Sequence, residues 1–195
     1  MACLGVPVFA LLLASAVASA SWTVTDQEHD CTFYRGEVEA SGATAVRVVC
    51  DWDVPPADLS AVLSQPGTHA GIFSSLGEAE TISRAGPLER VRQVHVARGA
   101  TDREVVVDIR TTDVPEGKRF AWTKARDQSA RRTDGVEPDL TDGFWEVTDR
   151  GGRSHLVYEI RYLAGGRVPA LLVRWFQVSG IKGVIGDLRG FMDRR

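Results

Sequence analysis

Cys31 and Cys50 are the two cysteines of this 195-residue chain placed to react with each other. Both lie in strand-like text on either side of the small-residue turn Ala40-Ser41-Gly42, and a hairpin folded there brings them together. A cross-strand disulfide is geometrically plausible there; two buried free thiols are the alternative. Closing a loop of this size contributes roughly 3 kcal/mol in the chain-entropy description. The histidines offer less. His29, Asp30 and Cys31 are adjacent in what reads as one strand, and three adjacent strand residues cannot converge on one ion. His69 and His155 have no ligand-spaced partner, so no metal is expected. His95, between Val94 and Val96, reads as a structural or surface strand histidine before a general base. Arg103, flanked by Asp102 and Glu104, reads as a turn ion pair. The chain has no Gly-x-Ser-x-Gly elbow, no His-Glu-x-x-His and no phosphate-cradling loop, so no catalytic residue is assigned and no cofactor is expected.

The first twenty residues set the compartment in which that thiol chemistry would run. MACLGVPVFALLLASAVASA is an apolar run ending in Ala18-Ser19-Ala20, a small-x-small cleavage pattern, although no Lys or Arg precedes it. We expect a signal peptide over 1–20 and one domain over 21–195, secreted or periplasmic; an uncleaved N-terminal anchor is the alternative. With Cys3 removed, an even pair of cysteines remains in an exported chain, which favours the disulfide. Net charge is -3 with both signs interspersed and no basic stripe, which argues against a nucleic-acid partner.

Around these residues the text divides cleanly. Two strands, Thr32–Glu39 and Ala43–Asp51, come first. Asp53-Val54-Pro55-Pro56 then opens a helix, with Asp53 or a neighbour as cap and Leu59, Val62 and Leu63 on one face. A second short helical piece spans His69–Leu76. A meander follows over Glu78–Ala85, Leu88–Ala97, Glu104–Asp113, Arg119–Asp127, Phe144–Asp149 and Ser154–Leu163, with Ser129–Asp142 as a polar, exposed loop. The last element is a long helix from Pro169. Its apolar cluster shifts from Val168, Leu171, Leu172, Trp175 and Phe176 to Ile181, Val184, Ile185, Leu188 and Met192, so it bends at Gly180 or buries two sides. Gly180, Gly183, Gly186 and Gly190 each cost about 1 kcal/mol against Ala in a helix. Close packing, a hinge or space for something else are the possible reasons, close packing being the commonest.

The order of these elements, with five short motifs, resembles a START-type (StAR-related lipid-transfer) domain of the helix-grip, polyketide cyclase-like superfamily. Trp22-x-Val24 with Cys31-Thr-Phe-Tyr34 resembles the family's opening, and Val54-Pro55-Pro56-x-x-Leu59-x-x-Val62-Leu63 its first helix. Asp102-Arg103-Glu104-Val105 resembles its Arg-Asp turn, with Glu104 in place of Asp. Gly143-Phe-Trp145 resembles its Gly-x-Trp strand, and Gly165-Gly166-Arg-Val168-Pro169 the approach to its last helix. Gly71-Ile72-Phe73 departs from it, standing where a Trp is common.

The resemblance implies an α+β helix-grip fold: a curved antiparallel sheet wrapped around a long C-terminal helix, with two short helices after the second strand. It also implies a tunnel holding an apolar ligand. Its wall would be Val105, Val107 and Ile109 on one strand, Phe120 and Trp122 on the next, Tyr158 and Ile160 on the last, and Leu172, Trp175 and Phe176 on the helix. The alternative is that all ten merely fill a core. The expected function is an exported, non-enzymatic carrier or sensor of a lipid or other hydrophobic small molecule, monomeric and in transient contact with a membrane. The alternatives are a cyclase or aromatase in the same cavity, supplied by Asp108, Arg110, His95 or Glu159, and an interaction module with a filled core. Strand alternation places Asp108 and Arg110 opposite the Val107/Ile109 face, which argues against the enzyme if that face is inward.

Overall fold

Alternation with period two dominates the strand segments between residues 31 and 163, and the computed structural model joins them, with one further strand before them, into a single sheet. It describes residues 21–97, 99–166 and 180–195. Nine strands run β1 (Thr23–Glu28), β2 (Cys31–Val38), β3 (Thr44–Trp52), β4 (Leu76–Ala85), β5 (Leu88–His95), β6 (Arg103–Val114), β7 (Gly117–Lys124), β8 (Leu140–Arg150) and β9 (Arg153–Leu163). All neighbours are antiparallel, in the order β1-β2-β3-β9-β8-β7-β6-β5-β4. The chain builds one edge, crosses over through α1 (Pro56–Leu63) and a 3₁₀ turn (Pro66–Gly71), and starts again at the far edge. It then meanders back until β9 pairs with β3 over Ala45–Trp52.

The sheet is strongly curled. β5 and β9 stand four strands apart, roughly 19 Å in a flat sheet, yet the rings of His95 and Tyr162 stack at 5.8 Å and 11°. Into the hollow go Leu59, Val62 and Leu63 of α1, and Ile181, Ile185, Leu188 and Met192 of the C-terminal helix α2 (Ile181–Met192). They pack on Phe33, Val48, Trp52, Val147 and Leu156 of the sheet.

The meander and the face of α1 match the sequence reading, but several details differ. Strand β1 was not foreseen, so the two short segments follow the third strand, not the second. The β1–β2 link is a two-residue hairpin at His29 (φ 51°) and Asp30 (φ 60°), which takes His29 and Asp30 out of any strand. Asp53 does not cap α1: its N-cap is Pro55, with no side-chain cap bond, and Pro56 simply fixes the first turn. The piece expected over His69–Leu76 is the 3₁₀ turn, ending at Gly71, with Leu76 already in β4. The half of the last helix before Gly180 lies outside the described residues. In α2 the close-packing reading of the glycines is overturned. Among the described residues a Cβ on Gly180, Gly183 or Gly186 meets nothing within 4 Å, and one on Gly190 meets only the Arg194 Nη1 at 3.4 Å.

Cys31 and Cys50 form the disulfide, at directly opposed positions of β2 and β3. Among the described residues no helix is long and apolar enough to cross a membrane.

Candidate functional site: an apolar cavity with a polar end

Curling a sheet whose inner face carries rings leaves a cavity of about 400 Å³ between β3, β5–β9, the 3₁₀ turn and the start of α2. Its wall contains an aromatic row. Phe73 stacks on Trp145 at 6.0 Å, Trp145 on Tyr158 at 4.0 Å, and Tyr158 on Trp122 at 6.0 Å. The register explains the row: Trp145 of β8 lies opposite both Phe120 of β7 and Tyr158 of β9. Gly143 makes room for it. A Cβ there would lie 2.6 Å from the Trp122 indole and 2.1 Å from the Glu159 carbonyl oxygen, so the Gly-x-Trp spacing is a packing requirement.

Of the expected wall residues, Ile109, Phe120, Trp122, Tyr158 and Ile160 line the cavity. Val105 and Val107 face the same way but are fully buried against Val91 and do not border it. Leu172, Trp175 and Phe176 lie outside the described residues. The sequence reading missed Phe73, Trp145, His69 and Tyr162, all of which border the cavity. Alternation carried the signal for Tyr162, two residues beyond Ile160 on the same face. No local pattern marked Phe73 or His69, because the crossover brings them in.

Another wall residue that the sequence reading missed is Arg103, expected to pair with its neighbours. It does not. Its Nε donates to the Ala164 carbonyl at 3.1 Å and its Nη1 to the Thr101 carbonyl, and the side chain, 5% exposed, borders the cavity. Glu104, on the opposite face of β6, goes elsewhere. It takes the guanidinium of Arg92 and accepts from the backbone N–H of Arg132 and Thr133, each at 2.8 Å, and from the Thr133 hydroxyl. Burial alone would raise this carboxyl, but those donors together pull it down to about 2. Glu104 thereby fastens the 125–139 loop to the sheet; the polar, exposed loop expected over Ser129–Asp142 ends at Asp139, because Leu140–Asp142 already belong to β8.

Near Arg103, Gln93, His95, Thr141 and Tyr162 complete a polar end to a largely apolar chamber. His95, expected as a structural or surface strand histidine, is half-buried and borders the chamber. Burial pushes it, like His69 at the opposite side, down to about 4, and pushes the Tyr162 phenol up to about 12 against the pull of Arg103. The remaining candidates for acid–base work lie outside the chamber. Asp108 is held by Arg90 at 2.7 and 2.9 Å and Glu159 by Arg47 at 2.6 and 2.8 Å, while Arg110 is exposed and does not border the cavity. Among the described residues no cluster of His, Cys, Asp and Glu has the geometry of a metal site.

No protein-family model matches the chain. No curated protein sequence matches it. Solved structures do. A STAR-related lipid transfer protein from Xanthomonas axonopodis superposes with a TM-score of 0.79 at 16% identity, covering 88% of this chain and 98% of that one. The human StAR-related lipid transfer protein 5 gives 0.81 at 13% identity, with 91% and 89% covered. The Zhui aromatase/cyclase from a Streptomyces species gives 0.57 at 16% identity, with 77% and 94% covered. The chain therefore has the START-type fold, an α+β fold built on one large antiparallel sheet.

Proposed function

We propose that this chain is an exported START-like domain that binds a lipid or other hydrophobic small molecule, as a carrier or sensor rather than an enzyme. The observation that carries the reading is the cavity itself: about 400 Å³, walled by Ile109, Phe120, Trp122, Trp145, Tyr158 and Ile160. That volume and lining suit a small amphipathic ligand. Apolar ligand surface leaving water there contributes roughly 25 cal/mol per Å². The lipid-transfer names of two structures with this fold support the same reading. The aromatase/cyclase with this fold keeps an enzyme in view, but the polar groups that border this chamber include no carboxylate. In the proposal residues 1–20 are a leader removed on export, residues 21–195 are the working domain, and the Cys31–Cys50 disulfide suits an oxidising secreted or periplasmic setting.

The test is direct. The protein is purified under non-denaturing conditions from the compartment it is exported to, extracted with organic solvent, and the extract analysed by mass spectrometry. A lipid present in stoichiometric amount is the expected result. An empty extract, together with no thermal shift from any member of a lipid panel, overturns the proposal.

A further inference from the structure

The cavity contains a positive charge that the protein does not neutralise. Every Asp and Glu of the chain lies among the described residues, and none comes within the 4.0 Å of an ion pair with Arg103. Its described partners are two neutral backbone carbonyls. The comparison within this molecule is Arg92, at 3% exposure the only other buried arginine among the described residues. Arg92 has Glu104 and Glu78 in direct contact and Glu80 at 4.0 Å. The fold thus supplies carboxylates to one buried guanidinium and leaves the other bare.

The groups around Arg103 add no negative charge. Its cross-strand partner is His95, stacked on Tyr162, with the Gln93 carboxamide 3.3 Å from the imidazole and the Thr141 hydroxyl also on the cavity wall. An imidazole pushed down to about 4 and a phenol pushed up to about 12 are both neutral near pH 7. Among the described residues this end of the chamber therefore has one fixed positive charge and several uncharged hydrogen-bonding groups. A buried guanidinium is costly unless something anionic completes it, and its planar fork suits carboxylate and phosphate oxygens in particular.

We propose that the occupant is an amphipathic acid: an apolar body lying along the Phe73–Trp145–Tyr158–Trp122 row and one anionic oxygen group, carboxylate or phosphate monoester, held by the Arg103 guanidinium. The inference rests on the hydrophobic-ligand reading above and adds the charge class of the ligand. A neutral sterol or alcohol of the same size would fill the same row and leave the guanidinium unpaired. The preference between the two is what the site determines.

The experiment uses the protein expressed from the full chain, with N-phenyl-1-naphthylamine as a neutral fluorescent occupant. Hexadecanoate, hexadecyl phosphate and 1-hexadecanol compete with it at pH 7.5, all below their aggregation thresholds. The expected result is that one or both anions displace the dye at concentrations at least tenfold below the alcohol, the better anion identifying the head group. In R103M, with folding checked by circular dichroism, that ratio collapses to within about twofold. Should R103M not fold, H95E sets a carboxylate directly across the strand pair and is expected to abolish the ratio in the same way. An alcohol as effective as both anions in the unaltered protein overturns the acid inference and leaves hydrophobic binding standing. A ratio preserved in the variant also overturns it. A protein that takes up neither dye nor any competitor overturns both readings.

Discussion

His69 and Glu104 show how the surroundings of single residues set the acid response of this protein. His69 is 6% exposed, its Nε2 sits 3.4 Å from the Val62 carbonyl, and burial lowers it from 6.5 to about 4. A histidine held neutral in the fold takes its proton more readily when unfolded. Its stabilising contribution is therefore complete above pH 6.5 and is lost as the pH falls toward 4. Urea denaturation across that window should show stability falling by about 1.4 kcal/mol per pH unit from this group alone. H69Q should remove that share of the slope. Glu104 acts in a lower window: lowered from 4.5 to about 2, it contributes fully above pH 4.5 and fails as the pH approaches 2. E104Q leaves Arg92 with Glu78 and Glu80 only and frees the loop at Arg132 and Thr133. Removing one member of a buried pair costs 3–5 kcal/mol, and the surviving partners set the expectation at about 3, read as a drop in Tm with faster proteolysis between residues 125 and 139. Neither residue could be assigned from the sequence. Glu104 stood beside Arg103, and adjacency suggested a pair. In a strand adjacent side chains point to opposite faces, so the two were always destined for different partners.

At the scale of elements, the sequence was most legible where a regular period runs long. The six meander strands, the apolar face of α1 and the cysteine pairing follow from alternation, turn residues and spacing. The errors fall where local signals conflict. β1 contains Asp26, Gln27 and Glu28, is exposed at five of its six positions, and so has no apolar alternation to announce it. The 3₁₀ turn at Pro66–Gly71 has apolar residues just after it, at Ile72 and Phe73, and these resembled a second amphipathic helix. Two predictions belong here. C31S/C50S opens a link across a 19-residue separation between opposed strands and should cost roughly 3 kcal/mol, measured by denaturation with and without reductant. G186A should do the reverse. Gly186 is an exposed residue inside α2 with open space where a methyl would go, so alanine should stabilise by up to about 1 kcal/mol, raising Tm by a few degrees. A lower Tm would mean that the glycine is needed for a bend or for a surface that α2 presents to something else.

For the whole molecule the issue is whether the curled sheet encloses a ligand chamber or an imperfect core, and β3 contains the means to decide. Val46 and Val48 sit two residues apart on the same face of one strand, opposite Ile160 and Tyr158 of β9. Val48 is fully buried within the core cluster, whereas Val46 is half-buried and borders the cavity. Sequence alternation makes the pair equivalent. The difference between them arises because, among the described elements, α1 and α2 fill the end of the hollow at Val48 and not the end at Val46, a consequence of long-range packing that no local pattern records. Small-to-large substitution separates the two environments physically. In a core packed at crystal-like density, V48F must force neighbours off their rotamers and should cost 1–3 kcal/mol. V46F places its ring in existing space, so Tm should hold or rise while uptake of N-phenyl-1-naphthylamine falls at least fivefold. Equal destabilisation by both would mean that the hollow closes up in solution, and the chamber would then be only a core. A stable V46F that no longer takes up the dye ties binding to the volume itself. In that case the space beside Val46 is a feature the fold maintains, since filling it costs function without costing stability.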